Sequence, residues 1–389
     1  MSSLISKLST NWQSPSIDEE LIDILRLIRS QNIGVRTFKS LIKLYGSASL
    51  ALHNVGRLSL KGGRHQPIEV CTREDALLEI EACSKFGAEM ISYRSSFYPP
   101  LLATIEDAPP VLTIIGKKEI LKRNLTIAIV GSRNASLNGC KFASKIASDL
   151  GKKKIAISSG LARGIDSAAH NASLESGTIA VVAGGIDQIY PAENKDLFWK
   201  ITETGAIIAE LPFGTVPRGQ NFPQRNRIIS GISHGVIVVE ANFGSGSLIT
   251  ARMALEQNRE LFAVPGFPFD PRSNGTNNLI KNGAKLIENA NDVIEELQSI
   301  ISHANYQIEN NTNSYLNEVD VVEEYSENEI AAARKEILQK LSSTPINFDE
   351  IITEIALPAS IGLIIMTELE LAGRVTRYPG NRISLNYEI

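Results

Sequence analysis

Ile127-Ala128-Ile129-Val130-Gly131-Ser132-Arg133 decides the fold: an apolar run rich in β-branched side chains ends abruptly at a glycine. The same beat recurs at Ile155 to Ser158, Ile179 to Ala183, Ala206 to Ala209, Val236 to Val239 and Leu261 to Val264, with helix-length segments between. Strands that are apolar throughout rather than alternating, separated by helices, predict a parallel sheet covered on both faces. The expected architecture is α/β, a Rossmann-like doubly wound domain over residues 72–300.

In such a sheet ligands bind beyond the carboxyl ends of the strands. Those positions read Gly131-Ser132-Arg133, then Ser159-Gly160-Leu161-Ala162-Arg163-Gly164-Ile165-Asp166, then Gly184-Gly185-Ile186-Asp187, and finally Glu240 with Gly244-Ser245-Gly246-Ser247. Glycines let backbone N–H groups approach a phosphate, Ser132, Ser159, Ser245 and Ser247 offer hydroxyls, and Arg133 and Arg163 offer charge. Each glycine taken singly could equally serve a tight strand-to-helix turn.

The stretch from Leu211 to Gly235 adds Arg218, Arg225, Arg227 and His234 without one Asp or Glu, in a chain of formal net charge −4. Pro217, Gly219 and Pro223 predict a loop carrying Arg218 and Phe222, with Arg225, Asn226 and Arg227 on the first turn of the next helix. Arginines beside a helix N-terminus outline a phosphate site. The alternative is that they pair with distant carboxylates. Phe222 is either a stacking platform for a base, which a single-strand binder needs, or ordinary core packing.

Composition narrows the function. At 389 residues the chain holds two or three domains, and no window has the apolar length of a membrane span. With no signal-peptide pattern at the start, the expected location is cytoplasmic. Cys71, Cys83 and Cys140 are scattered, so neither a disulfide framework nor a zinc site is expected. GxGxxG is absent after the first strand and no Walker lysine appears, so NAD and ATP are poor ligands and no cofactor is expected. Asp166 and His170, four apart on a predicted helix, are read as capping and pairing with each other rather than as catalysts. No nucleophile elbow and no metal-ligand spacing is present, so the expected catalytic and metal residues are none.

The flanks are helical. Residues 17–68 show two helical periods around Asn32-Ile33-Gly34-Val35, a small bundle with a helix-hairpin-helix outline, closed by a hinge at Lys61-Gly62-Gly63-Arg64. Residues 1–16 read as a loose arm, and 301–328, acidic and rich in Asn, as a flexible linker. Residues 329–389 outline a winged helix: three short helices and a hairpin turning at Pro379-Gly380-Asn381. Its would-be recognition helix, Pro358 to Ala372, has Glu368 and Glu370 as its only charges, which favours a protein-contact or structural role over DNA readout.

The motifs together resemble a known family, the bacterial DNA-processing proteins DprA, also called Smf. The resemblance rests on Tyr98-Pro99-Pro100-Leu101-Leu102, Ile129-Val130-Gly131-Ser132-Arg133, Ser159 to Asp166 with His170, Ile189-Tyr190-Pro191, Phe222 to Ile229, Ser245-Gly246-Ser247-Leu248 with Thr250-Ala251, and Val264-Pro265-Gly266. One departure is Ala183-Gly184-Gly185-Ile186-Asp187, where the family commonly has Gly-x-Gly-Leu-Asp. The resemblance implies a sterile-alpha-motif-like domain before the sheet domain and a winged helix after it. It implies a recombination mediator that binds and protects single-stranded DNA and helps load the RecA recombinase during natural transformation. It places Arg133, the Arg163-Gly164 turn, Arg218 and Phe222 in the DNA pocket, so that with the anion rim and helix start read above the expected DNA-binding residues are Gly131, Ser132, Arg133, Gly160, Arg163, Gly164, Arg218, Phe222, Arg225, Asn226 and Arg227. It also implies a homodimer through 276–286, with Leu279, Ile280 and Leu286 at its interface. Two other readings remain: a nucleotide-processing enzyme resembling lysine decarboxylase, although Gly275-Thr276-Asn277-Asn278 lacks the glutamate of that motif, and a regulator acting through the winged helix.

Overall fold

The computed structural model describes residues 18–298, 325–378 and 380–386. The arm 1–16, linker residues 301–324 and Pro379 of the hairpin turn lie outside the described residues. The chain divides into two compact units, with breaks between Leu77 and Leu78 and between Tyr325 and Ser326, so the N-terminal helices and the winged helix share one unit.

The second unit is built on a sheet of nine strands: β1 (Glu89–Ser92), β2 (Val111–Gly116), β3 (Thr126–Val130), β4 (Ala156–Ser159), β5 (Thr178–Val181), β6 (Ala206–Ala209), β7 (Gly235–Val238), β8 (Glu260–Ala263) and β9 (Lys285–Leu286). Their spatial order is β1-β2-β6-β5-β4-β3-β7-β8-β9. All pairs from β6 to β9 are parallel, whereas β1 with β2 and β2 with β6 are antiparallel. The doubly wound α/β core is therefore as expected, with an antiparallel edge that the apolar pattern alone did not reveal.

β3 shows why this sequence makes a central strand. All five of its residues are buried. Ala128 and Val130 enter the core on one face, with Val236, Val238 and Ile229. Ile127 and Ile129 enter the other, with Ile146, Leu150, Ile157 and Phe262. Successive strand residues point to opposite faces, so an uninterrupted apolar run is what two cores require. The chain leaves β3 through helix Leu137–Lys152 towards β4, and returns to the other side of β3 only at β7. The strand order reverses there, which opens a crevice at the carboxyl ends of β3 and β7.

In the first unit, helices Glu19–Arg29, Val35–Tyr45 and Ala48–Lys61 form the N-terminal bundle. The winged-helix part comprises helices Glu327–Lys340, Phe348–Glu354 and Ala359–Leu371 and a sheet of order β10-β12-β11, where β10 is Ile346–Asn347, β11 Val375–Tyr378 and β12 Arg382–Leu385. Its first helix begins at Glu327, inside the expected linker, because Ser326 and Glu329 close a reciprocal capping box. Helix Ala359–Leu371 packs on the N-terminal helices. Asn32 Nδ2 donates to the Leu371 carbonyl at 3.1 Å, and Thr37 Oγ1 donates to Glu370 Oε2 at 3.4 Å. Glu368, 1% exposed, accepts from Arg334 Nε at 2.8 Å. The expected hinge is corrected here. A Cβ on Gly62 would stand 2.0 Å from the Glu368 carbonyl oxygen, so this glycine serves close packing rather than flexibility.

Candidate functional site

The crevice at the switch point is a cleft of about 470 Å³. Its walls are Gly131 to Asn134 after β3, Phe222 with Arg225 and Asn226 from helix Asn221–Gly231, and Asn242 to Ser247 after β7. Phe222 belongs to this helix, not to the preceding loop. Pro223 is tolerated in the first turn, where its missing N–H would have no intrahelical partner. The ring is half-buried and belongs to neither core cluster. The guanidinium carbons of Arg133 and Arg225 lie 4.9 Å and 5.8 Å from its centre, and the ring of Tyr190, 49% exposed, stands 5.7 Å away. Tyr190, which lines a smaller pocket beside the cleft with Arg133 and Phe222, and Phe243, an exposed residue of the cleft wall, were missed as site residues, although an aromatic between Asn242 and Gly244 is a readable signal.

The five arginines separate into three kinds. Arg133 and Arg218 are exposed and form no ion pair among the described residues, and Arg163 is exposed with Glu193 at 3.7 Å. Arg225 is buried: Nη1 donates to the carbonyls of Gly160 and Val181, and Nε donates to Asn226 Oδ1 at 3.0 Å. It forms the floor of the cleft rather than its rim. Arg227 is a correction to the expected set. Two residues further round a helix of 3.6 residues per turn, it points away and is buried in ion pairs with Glu210 and Asp107.

Glycines hold this floor together. A Cβ on Gly160 would lie 2.4 Å from Arg225 Nη1. Gly164, at φ +75°, would place one 2.3 Å from the Ser132 carbonyl oxygen, which accepts from Ile165 N at 3.2 Å. Asn226 Nδ2 donates to the Gly246 carbonyl at 3.3 Å, tying the helix to the loop after β7.

Asp166 and His170 do not pair with each other as expected. Asp166 Oδ2 accepts from Gly160 N at 3.0 Å and Ala162 N at 3.3 Å. Burial raises its pKa, while the Arg225 charge and these N–H groups oppose the rise. His170 is fully buried with Nδ1 2.8 Å from Thr178 Oγ1. The threonine gives its proton to the Ile157 carbonyl, so Nδ1 must be the donor to it. Burial, reinforced by Arg225, lowers the His170 pKa to about 3, keeping the ring neutral. Arg225 itself is lowered by burial only to about 10 and stays cationic.

Helix ends decide where an anion can sit. The N-terminus of Leu137–Lys152 is closed by the chain itself: Glu240 accepts from Ser136 N at 2.9 Å and would meet a Cβ on Gly139 at 2.6 Å. The N-terminus of Gly246–Glu256 faces the cleft without a side-chain cap, since Ser245 Oγ is 2.8 Å from Ser247 Oγ instead. Its free N–H groups are suited to a phosphate. Among the described residues no cluster of three or more His, Cys, Asp or Glu could hold a metal ion.

The sequence profile of DNA recombination-mediator protein A matches residues 89–298, the sheet domain that carries this cleft. The chain belongs to that family. The family's N-terminal HHH domain matches residues 18–82 and its winged-helix domain residues 323–381. Among family members, DNA processing protein DprA of Bacillus subtilis is 45% identical over 213 residues, 54% of this chain and 72% of its own. Protein Smf of Escherichia coli is 36% identical over 299 residues, 76% of this chain and 77% of its own. The structure of DprA from Streptococcus pneumoniae aligns with a TM-score of 0.60 at 35% identity, covering 72% of this chain and 98% of that one. That of DprA from Helicobacter pylori, described for its single-stranded DNA binding mode, aligns with a TM-score of 0.51 at 29% identity over 55% of this chain and 96% of that one. The dimer residues of the resemblance lie at the far edge of the sheet: Leu286 is exposed on β9, Ile280 is half-buried, and Leu279 packs against the core.

Proposed function

We propose that the cleft binds single-stranded DNA, with a base against Phe222 and phosphates on Arg133, Arg163, Arg218 and the backbone N–H groups of Gly246 and Ser247. The observation that carries this is the half-exposed Phe222 ring beside Arg133, an exposed cation with no ion pair among the described residues. Stacking needs an unpaired base, and the exposed arginines need a polyanion. Gly131 and Ser132 form the wall, while Gly160, Gly164, Arg225 and Asn226 position it. Arg227 has no part in the contact.

In this reading the protein acts in the cytoplasm without catalysis, protecting the strand and passing it to RecA, as membership of a recombination-mediator family suggests. Asp166 and His170 support it, because Asp166 is spent on the backbone N–H groups of Gly160 and Ala162 and the His170 ring is fully buried. Asn277, where an enzyme of the lysine-decarboxylase type would need its Gly-Thr-x-x-Glu segment, clamps Gly266 through both amide atoms at 3.1 Å and 2.9 Å. A homodimer through Ile280 and Leu286 at the β9 edge completes the proposal. Titrating single-stranded against duplex DNA at two salt concentrations tests it: single-strand preference with steep salt dependence is expected, and equal affinity for duplex would overturn it.

A further inference from the structure

The end of the sheet opposite the cleft carries a second concentration of positive charge. Before β3 the chain reads Lys117-Lys118-Glu119-Ile120-Leu121-Lys122-Arg123, and before β4 it reads Lys152-Lys153-Lys154. Parallel pairing of Thr126 with Ala156, and a 2.9 Å hydrogen bond from Ala156 N to the Leu125 carbonyl, set these runs side by side. Between them lies a groove of about 550 Å³ lined by Arg123, Asn124, Leu125, Lys153, Lys154 and Ile155.

Few carboxylates answer these cations. Lys118 pairs with Glu89 at 2.7 Å and Lys152 with Asp149 at 3.3 Å. Lys117, Lys122, Arg123, Lys153 and Lys154 form no ion pair among the described residues, and Arg123 Nη1 is buried without a hydrogen-bond partner. In a chain of net charge −4, such a group makes a local positive potential that attracts anions. The side chains also select the anion. Protein interfaces are depleted in lysine and centre on aromatic or apolar anchors. Here Phe97, the ring beside the patch, is already covered by the ammonium groups of Lys118 at 4.7 Å and Lys122 at 4.0 Å. A phosphodiester backbone needs only the cations.

We infer that this edge of the sheet holds the phosphate backbone of a polynucleotide without reading its bases, as a second contact for a strand whose bases are held at the cleft. The inference rests on the single-strand reading of the cleft, and the test separates the two. Lys122→Gln, Lys153→Gln and Lys154→Asn are combined, Asn being chosen because Lys154 has φ +63° and Asn tolerates that region. Wild type, this variant and Arg133→Ala are titrated across salt with a short oligonucleotide of about 6 nucleotides, within the span of one binding site, and a long one of about 40. The triple variant should bind the short strand like wild type. On the long strand its salt slope should fall by about 2, at roughly 0.7 for each phosphate no longer neutralised. Unfolding midpoints confirm that these exposed substitutions keep the fold. An unchanged slope on the long strand, the result expected of an acidic protein partner, overturns the inference, and so does an equal loss on both strands. If wild type fails to bind the short strand, the cleft reading falls by itself, while a reduced slope on the long strand still reports the lysine edge.

Discussion

Gly160 and Arg225 make one structural unit, and a double-mutant cycle can expose it. In Gly160→Ala the new methyl would stand 2.4 Å from Arg225 Nη1 and 2.6 Å from Cζ, so the guanidinium must move. Moving it forfeits the hydrogen bonds to the Gly160 and Val181 carbonyls and to Asn226, and removes the charge that attracts buried Asp166. Breaking a buried charge interaction from one side costs about 3–5 kcal/mol, so Arg225→Ala should fall in that range. Partial displacement in Gly160→Ala should cost about 2–3 kcal/mol, comparable to leaving one or two buried polar groups unsatisfied. In the Arg225→Ala background the obstructing atoms are gone, and Gly160→Ala should then cost less than about 1 kcal/mol, giving a coupling of about 2 kcal/mol. Urea unfolding of the four proteins, followed by Trp199 fluorescence in a Trp12→Phe background, measures it. Additivity within about 0.5 kcal/mol would show that the glycine is not held by the arginine.

Three further outcomes are expected. Phe222→Ala should lose about 1–3 kcal/mol of single-strand affinity with an unchanged salt slope, whereas Arg133→Ala should flatten that slope by about 0.7; the opposite pattern in titrations across salt would reverse the two roles. Ile280→Glu with Leu286→Glu should give a folded monomer by sedimentation, and a wild type already monomeric at micromolar concentration would refute the interface. His170, with its folded pKa of about 3 below the ordinary 6.5, binds its proton more readily in the unfolded chain, so its stabilising contribution is present above 6.5 and is lost as pH falls towards 3. At pH 5 that loss is about 2 kcal/mol; His170→Asn should remove it, and parallel stability-against-pH curves for the two proteins would contradict the assignment.

Whether a residue could be read from the sequence depended on how local its surroundings are. β3 and its parallel neighbours were readable because burial on both faces leaves an uninterrupted apolar run. β2, directly after Pro109 and Pro110, stands outside the recurring apolar runs, and β9 has only Lys285 and Leu286, too short for a pattern. Arg225 and Arg227 looked alike in sequence because nothing local shows that one meets the Gly160 carbonyl and the other Glu210 and Asp107. Gly62 looked like a hinge because glycine marks close approach as readily as flexibility, and its neighbour, Glu368, is distant in sequence. The apolar helix Ala359–Leu371, by contrast, showed its structural use in advance through its lack of positive charge.

The role proposed for the cleft depends on a base of single-stranded DNA lying at the switch point against Phe222. Photocrosslinking with a single-stranded oligonucleotide carrying 5-iodouracil, followed by mass mapping of the adducts, probes that placement without relying on affinity. Adducts are expected on the segment containing Phe222 and on that containing Tyr190, whose rings are 5.7 Å apart, with the Phe222 adduct absent in Phe222→Ala. Adducts confined to residues outside the cleft, with none on either segment, would show that the base lies elsewhere.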